Sequence, residues 1–179
     1  MFQETNDEYD LEIKRVSRMI KAHDYFDFDI NPGGKGIQHN YQHVNSDVIE
    51  DRATGLLWQR GGSENMLTIK NTVEYIKELN QNNLAGFSDW RLPTLSEALG
   101  LVESKRNKDG LYLDLIFDQK PFCLWTDDTF KTNGETRKWF VNFVIGGCFE
   151  LDITSSCCVR LVRSQSVFKK TVNEKDNPT

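Results

Sequence analysis

The run "KWFVNFV", residues 138–144, constrains this chain more than any other stretch. Side chains alternate across a strand, so Trp139, Val141 and Phe143 fall on one side and Phe140, Asn142 and Val144 on the other. Both sides are mostly apolar, which predicts a central strand buried on both faces. "FCLWTDD" upstream is a candidate neighbour, and "CFELDI" can return beside it across Gly146–Gly147. "CVRLVR" (158–163) reads as the last strand, and "DVIEDRATGLLWQR" as two short strands reversed at "ATG", with Leu56, Leu57 and Trp58 buried.

Three segments carry the helical period instead. Ile13, Val16 and Ile20 recur at three and four residues and predict a helix near the N-terminus. Thr68 caps a second one, with Ile69, Val73 and Ile76 on one stripe and Leu79 nearby. In "TLSEALGLVES", Leu95, Ala98, Leu99 and Val102 share a face. Thr94 and Glu97 there form a capping box, in which the threonine oxygen takes the amide of residue 97 and the glutamate reaches back to that of residue 94. Pro93 keeps Leu92 extended ahead of it. The order is helix, hairpin, two helices, then several strands. Helices and strands do not alternate, so the class is α+β rather than a doubly wound sheet.

With 179 residues, 38% of them hydrophobic, the chain suits one globular domain. The division expected is 1–46, a helix and glycine-rich loop; 47–164, the main domain; and 165–179, a polar tail. A net charge of −5 argues against nucleic acid or an anionic membrane as partner. No run approaches the ~18 apolar residues of a membrane span. The acidic, polar start "MFQETNDEYDLEIKR" has no secretory-signal pattern, so the expected location is the cytoplasm.

The motifs with chemical meaning are weak. "NPGGKG" lacks the hydroxyl residue that a phosphate loop places after its lysine, and it reads as a turn. His39 and His43 have zinc-site spacing, but Asn40 and Tyr41 stand where the base glutamate belongs, so two exposed histidines on a polar loop are expected. Cys123, Cys148, Cys157 and Cys158 include no C-x-x-C and read as free thiols. "TDDT" (126–129) pairs two carboxylates that could hold calcium, or form a solvated turn at a strand end. No catalytic triad can be read from the serines and histidines.

Taken in order, "VIEDRATGLLWQR", "DWRLPTLSEAL", "LWTDD", "KWFVNF" and "VRLVRS" resemble the Lcl C-terminal domain family of bacteria, over residues 47 to 164. "TGLLWQ", "DWRLPT" and "VRLVR" are the most specific parts. Upstream, "HDYFDFDINPGGKGI" is similar to a segment of relatives found beside serine/threonine kinase domains, although this chain has no kinase motif.

The resemblance implies a C-type-lectin-like fold: two helices packed on small, mostly antiparallel sheets, here with an extra N-terminal helix. It makes Trp58, Trp90, Arg91, Pro93, Thr94 and Glu97 scaffold residues, with Arg91 paired to an acid. It places a ligand surface on the late strands, at Trp125, Asp127, Asp128, Trp139, Asn142, Phe149, Glu150 and Asp152. The implied function is a non-catalytic module that binds a carbohydrate or a protein partner, with no cofactor beyond a possible calcium ion. Some relatives adhere to sulfated glycans, a ligand that calls for basic residues where these loops are acidic. The alternative is an oxidase similar to the formylglycine-generating enzymes, which share "RLPT-x-x-E" and hold copper on a closely spaced cysteine pair. Cys148, Cys157 and Cys158 lack that spacing.

Overall fold

A computed structural model describes residues 7–165. Helix α1 (Asp7–Ala22) leads through an irregular segment to strands β1 (Tyr41–His43), β2 (Val48–Asp51) and β3 (Leu56–Gln59). Strand β4 (Leu67–Thr68) runs straight into helix α2 (Ile69–Gln81). A 3-10 turn (Leu84–Gly86) precedes the short helix α3 (Leu95–Gly100). After another irregular stretch come β5 (Cys123–Thr132), β6 (Glu135–Asn142), β7 (Gly147–Asp152), β8 (Ser156–Cys157) and β9 (Val162–Ser164). The strands form three antiparallel sheets, ordered β1-β2-β3-β9, β4-β8 and β5-β6-β7. The α+β class expected from element order is the class observed.

Strand β6 is the centre of its sheet. Trp139 and Val141 enter one core with Val16 and Ile20 of α1 and Leu95 and Leu99 of α3. On its other face, Phe140 packs against a second core built on Trp90, Trp125, Cys123 and Leu161, which α2 covers with Ile69, Ile76 and Leu79. The two-sided apolar pattern is thus satisfied by one layer on each side. The β2–β3 hairpin is shared likewise: Ile49 and Trp58 join the first core, Val48 and Leu57 the second. Helix α1 lies upstream of residue 47, yet Val16 and Ile20 are 1% and 0% exposed inside the first core.

Several expectations need correction. In α2 the stripe is rotated: Val73 is 57% exposed, and Thr72 is the buried residue, its hydroxyl turned back onto the Thr68 carbonyl. Helix α3 ends at Gly100, before Val102, although Leu101 and Val102 stay buried through two further turn-type hydrogen bonds. The stretch 158–163 is not one strand. The amides of its middle are taken by side chains: the Val159 amide donates to Ser63 Oγ and the Leu161 amide to Gln59 Oε1, leaving only its end, in β9, in a ladder. "TDDT" is not a turn at a strand end but the interior of β5, at a break in register between Trp125 and Thr129. The "NPGGKG" turn is as expected, and Gly34 is required there, since a Cβ would run into the Tyr25 carbonyl. Most of the expected polar tail lies outside the described residues.

Candidate functional site

The "DWRLPT" corner is held from both ends. Trp90 is buried, its backbone amide and carbonyl clasped by the Asn80 side chain and its indole N–H donating to the Leu84 carbonyl. Thr94 and Glu97 make the reciprocal capping box. Arg91 forms a two-pronged pair with Glu97, both contacts 2.8 Å, which leaves no room for a substrate or ion between them. Burial alone would raise the Glu97 pKa, but the Arg91 guanidinium and the Thr94 amide hold it below the usual carboxylate range. Asp128 completes the corner by accepting the Leu95 amide at 2.6 Å.

Beside this corner opens a cavity of about 240 Å³. Leu56, Trp58 and Leu101 wall one part of it. Tyr25, Ile37 and His39 close it from the segment after α1, and Asp51, Thr54, Ser96 and Glu97 complete the lining. Tyr25 and Ser96 share a hydroxyl–hydroxyl hydrogen bond of 3.0 Å across it.

The charged part of the lining is already engaged. His39, expected on an exposed loop, has a side chain only 7% exposed; His43 is the exposed one. His39 Nδ1 is 2.8 Å from Asp51 Oδ2 and Nε2 is 2.7 Å from the Gly100 carbonyl oxygen. Both partners are acceptors, so both ring nitrogens donate and the imidazolium is the form that fits. Burial pushes the His39 pKa down, yet the Asp51 and Gly100 bonds together leave it raised. Asp51 is fully buried and also accepts from Asn40 N, Ala53 N and the Thr54 hydroxyl. Burial opposes its charge, but these donors hold its pKa at about 2. Neither group has a lone pair or proton site left with which to act as base or nucleophile.

A second hollow of about 230 Å³ lies under α2, between Ile69, Val73, Ile76 and Leu92 on one side and Lys138 and Asp127 on the other. Lys138 is 5% exposed and donates to the Asp127 carbonyl at 3.1 Å; burial lowers its pKa.

The eight residues expected to form a late-strand ligand surface do not converge. Trp125 and Trp139 are corrected to core residues, 0% and 2% exposed. Their indole N–H groups are used internally, on the Leu67 carbonyl and on Glu12 Oε1. Strand alternation sends Trp139 into the first core, while Phe149 faces Phe140 of the second. Asp127 lines the α2 hollow and Asp128 caps α3, so the two carboxylates part across the β5 irregularity and do not form a pair. Among the described residues, no group of three or more histidine, cysteine or acidic side chains is placed to hold a metal ion. Glu150 meets Tyr9 and Arg137, and Asp152 caps its own turn through Thr154. Asn142 Oδ1 accepts from Val144 N and Ile145 N and so builds the β6–β7 turn.

His39, Asp51, Tyr25 and Ser96 went unrecognised in the sequence. The signal was thin: a histidine whose visible neighbour was His43 rather than its acid twelve positions on, and hydroxyls with no motif around them. Among the described residues, no helix is long and apolar enough to cross a membrane.

The family comparison divides this cavity in two. The sequence model of the Lcl C-terminal domain matches residues 47–163. That span takes in β2 to β8, most of β9, α2, α3 and the cavity wall from Asp51 to Leu101, and leaves Tyr25, Ile37 and His39 outside. No curated protein and no solved structure matches the chain. By the match to residues 47–163, the chain belongs to the Lcl C-terminal domain family.

Proposed function

We propose that this chain is a non-catalytic binding module, and that the cavity between its N-terminal segment and the Lcl C-terminal domain holds a small, uncharged, hydroxyl-rich ligand such as one sugar residue. The observation that carries the reading is the state of the lining. Asp51 and His39 are saturated by protein partners, and Glu97 is locked to Arg91. What is left to meet a ligand is the Tyr25–Ser96 hydroxyl pair beside the apolar wall of Leu56, Trp58 and Leu101. Hydroxyls that both donate and accept, set against an apolar wall, suit a polyol. The lectin-like character suggested by the family resemblance points to the same ligand class and is part of this proposal.

The test is ligand-observed NMR with a panel of neutral and sulfated monosaccharides, on the wild type and on Ser96→Trp, which fills the cavity. The reading expects saturation transfer to at least one neutral sugar and its loss in the variant, with the far-ultraviolet spectrum unchanged. Transfer to none, or transfer that survives Ser96→Trp, contradicts it.

Partner recognition is a second reading, favoured by one observation. Phe28, Val144 and Ile145 are 54%, 42% and 40% exposed, and the Phe28 amide bonds to the Gly146 carbonyl, so they gather at the β6–β7 turn. A patch of large apolar side chains in one place marks a contact surface more often than scattered ones do. On this reading, a polypeptide retained by the wild type is not retained by Val144→Asp/Ile145→Asp; equal retention contradicts it.

A further inference from the structure

Cys123 and Cys157 stand 34 positions apart, and the fold brings their sulfurs to 2.6 Å. Cys123 opens β5 and Cys157 closes β8. A backbone bond holds the two segments side by side, the Trp125 amide donating to the Cys158 carbonyl at 3.0 Å, while β8 is anchored on its own account by the pairing of Cys157 with Leu67 of β4. Both thiols lie in the second core, 2% and 0% exposed. Cys158 borders the pair: its amide is 3.5 Å from the Cys123 sulfur, and its thiol also meets that sulfur. Cys148 is elsewhere, in the first core, where its amide donates to Asp27. A spacing argument in sequence could not find this pair, because Cys123 reaches Cys157 only through the return of the chain after β7.

We propose that Cys123 and Cys157 are a cross-linking site, joined by oxidation into an intramolecular disulfide that ties β5 to β8. The oxidant is a small disulfide of the glutathione type. One cysteine thiolate attacks a sulfur of the oxidant, whose S–S bond breaks and releases a first small thiol. The other thiolate then attacks the protein sulfur of the mixed disulfide and releases the second. Two cysteine S–H bonds are lost and one S–S bond is formed; the oxidant is reduced to two thiols, which carry away both protons. In the folded chain, contact with Cys157 and burial push the Cys123 thiol up to about 12, and the core shuts out the oxidant. The bond therefore forms as the chain folds and is shielded afterwards. The loop it closes contains the whole of β6 and β7, so it restricts the unfolded chain substantially.

The experiment is to refold the full chain with oxidised or with reduced glutathione, then unfold it, alkylate free thiols and map the peptides. With oxidised glutathione, Cys148 and Cys158 are alkylated while Cys123 and Cys157 appear in one linked peptide pair. The linked form melts higher than the reduced form, by on the order of 10 °C. Cys148→Ser keeps the link and the shift; Cys157→Ser loses both. Peptide mapping of the wild type decides the matter even where Cys157→Ser fails to refold. Alkylation of Cys123 and Cys157 after oxidative refolding, or a link from either to Cys158, overturns the proposal.

Discussion

His39 has a hydrogen-bond acceptor at each ring nitrogen and a saturated carboxylate beside it, and the consequence is a stability that depends on pH from two directions. The His39 pKa is raised in the folded chain, so its contribution is complete below the ordinary imidazole value and is lost as pH climbs through the folded one. Asp51 is held at about 2, so its contribution is complete above the ordinary carboxylate value and fades as pH falls through 2. Glu103, its carboxyl raised by burial, lies near His39, where its charge favours the imidazolium. The contribution of the His39–Asp51 pair is therefore complete between the ordinary carboxylate and imidazole values, whereas the raised Glu103 carboxyl takes stability away as pH rises past its ordinary value. Urea unfolding of His39→Gln across pH should show a loss of about 3 kcal/mol in mildly acidic solution, and the alkaline decline should flatten. An unchanged pH profile would remove the ion pair from the account. Arg160 is the other residue on which much depends. It is fully buried, donates to the carbonyls of Gly61 and Asp118, and lies over the Phe117 ring. Burial lowers its pKa, to about 10, which still leaves it charged. Arg160→Ala orphans two carbonyls and opens a void, and should cost roughly 3–5 kcal/mol by the same measurement. Sequence showed Arg160 as one letter in a strand-like run. Its burial was illegible because the carbonyls that accept from it come from loops 42 and 99 positions away.

The elements draw their stability from their ends as much as from their faces. Helix α3 has only six residues, too few to stand alone. Its first turn is held by Thr94, by Glu97 and, from β5, by Asp128. Thr94→Ala should cost about 1 kcal/mol. Asp128→Ala should cost a similar amount through the same helix end, and the double variant should be additive only to the extent that the two caps act on separate amides. Guanidinium melts of the three variants check this. The capping box was legible because it is local: four residues state it in full. The Asp128 contribution was not, since β alternation and a shift in register decide which of two adjacent carboxylates faces α3. The same distinction explains α2. Its period was visible, but its phase was not, because Val73 and Thr72 differ by one step around the helix and only the second core, on which Ile69, Ile76 and Leu79 pack, determines which turns inward.

For the molecule as a whole, the layered α+β arrangement followed from one strand that needed cover on both sides, and two cores provide it, one under α1 and α3 and the other under α2. How the N-terminal segment joins that body was hidden. Helix α1 supplies Val16 and Ile20 to the first core and Glu12 to the Trp139 indole, and the next segment supplies three walls of the cavity. Removing residues 1–22 should therefore abolish cooperative unfolding and shift tryptophan emission to the red, whereas a truncated chain that melts as sharply as the whole would show that α1 is dispensable. The central claim is that the cavity is a ligand site built jointly by the N-terminal segment and the family domain. Amide chemical-shift mapping during titration with the sugar that scores in the panel tests it most directly. The account predicts perturbations at Tyr25, Ile37 and His39 together with Ser96, Glu97 and Leu101. Perturbations confined to the β6–β7 turn around Val144 and Ile145, or none at all, would contradict it.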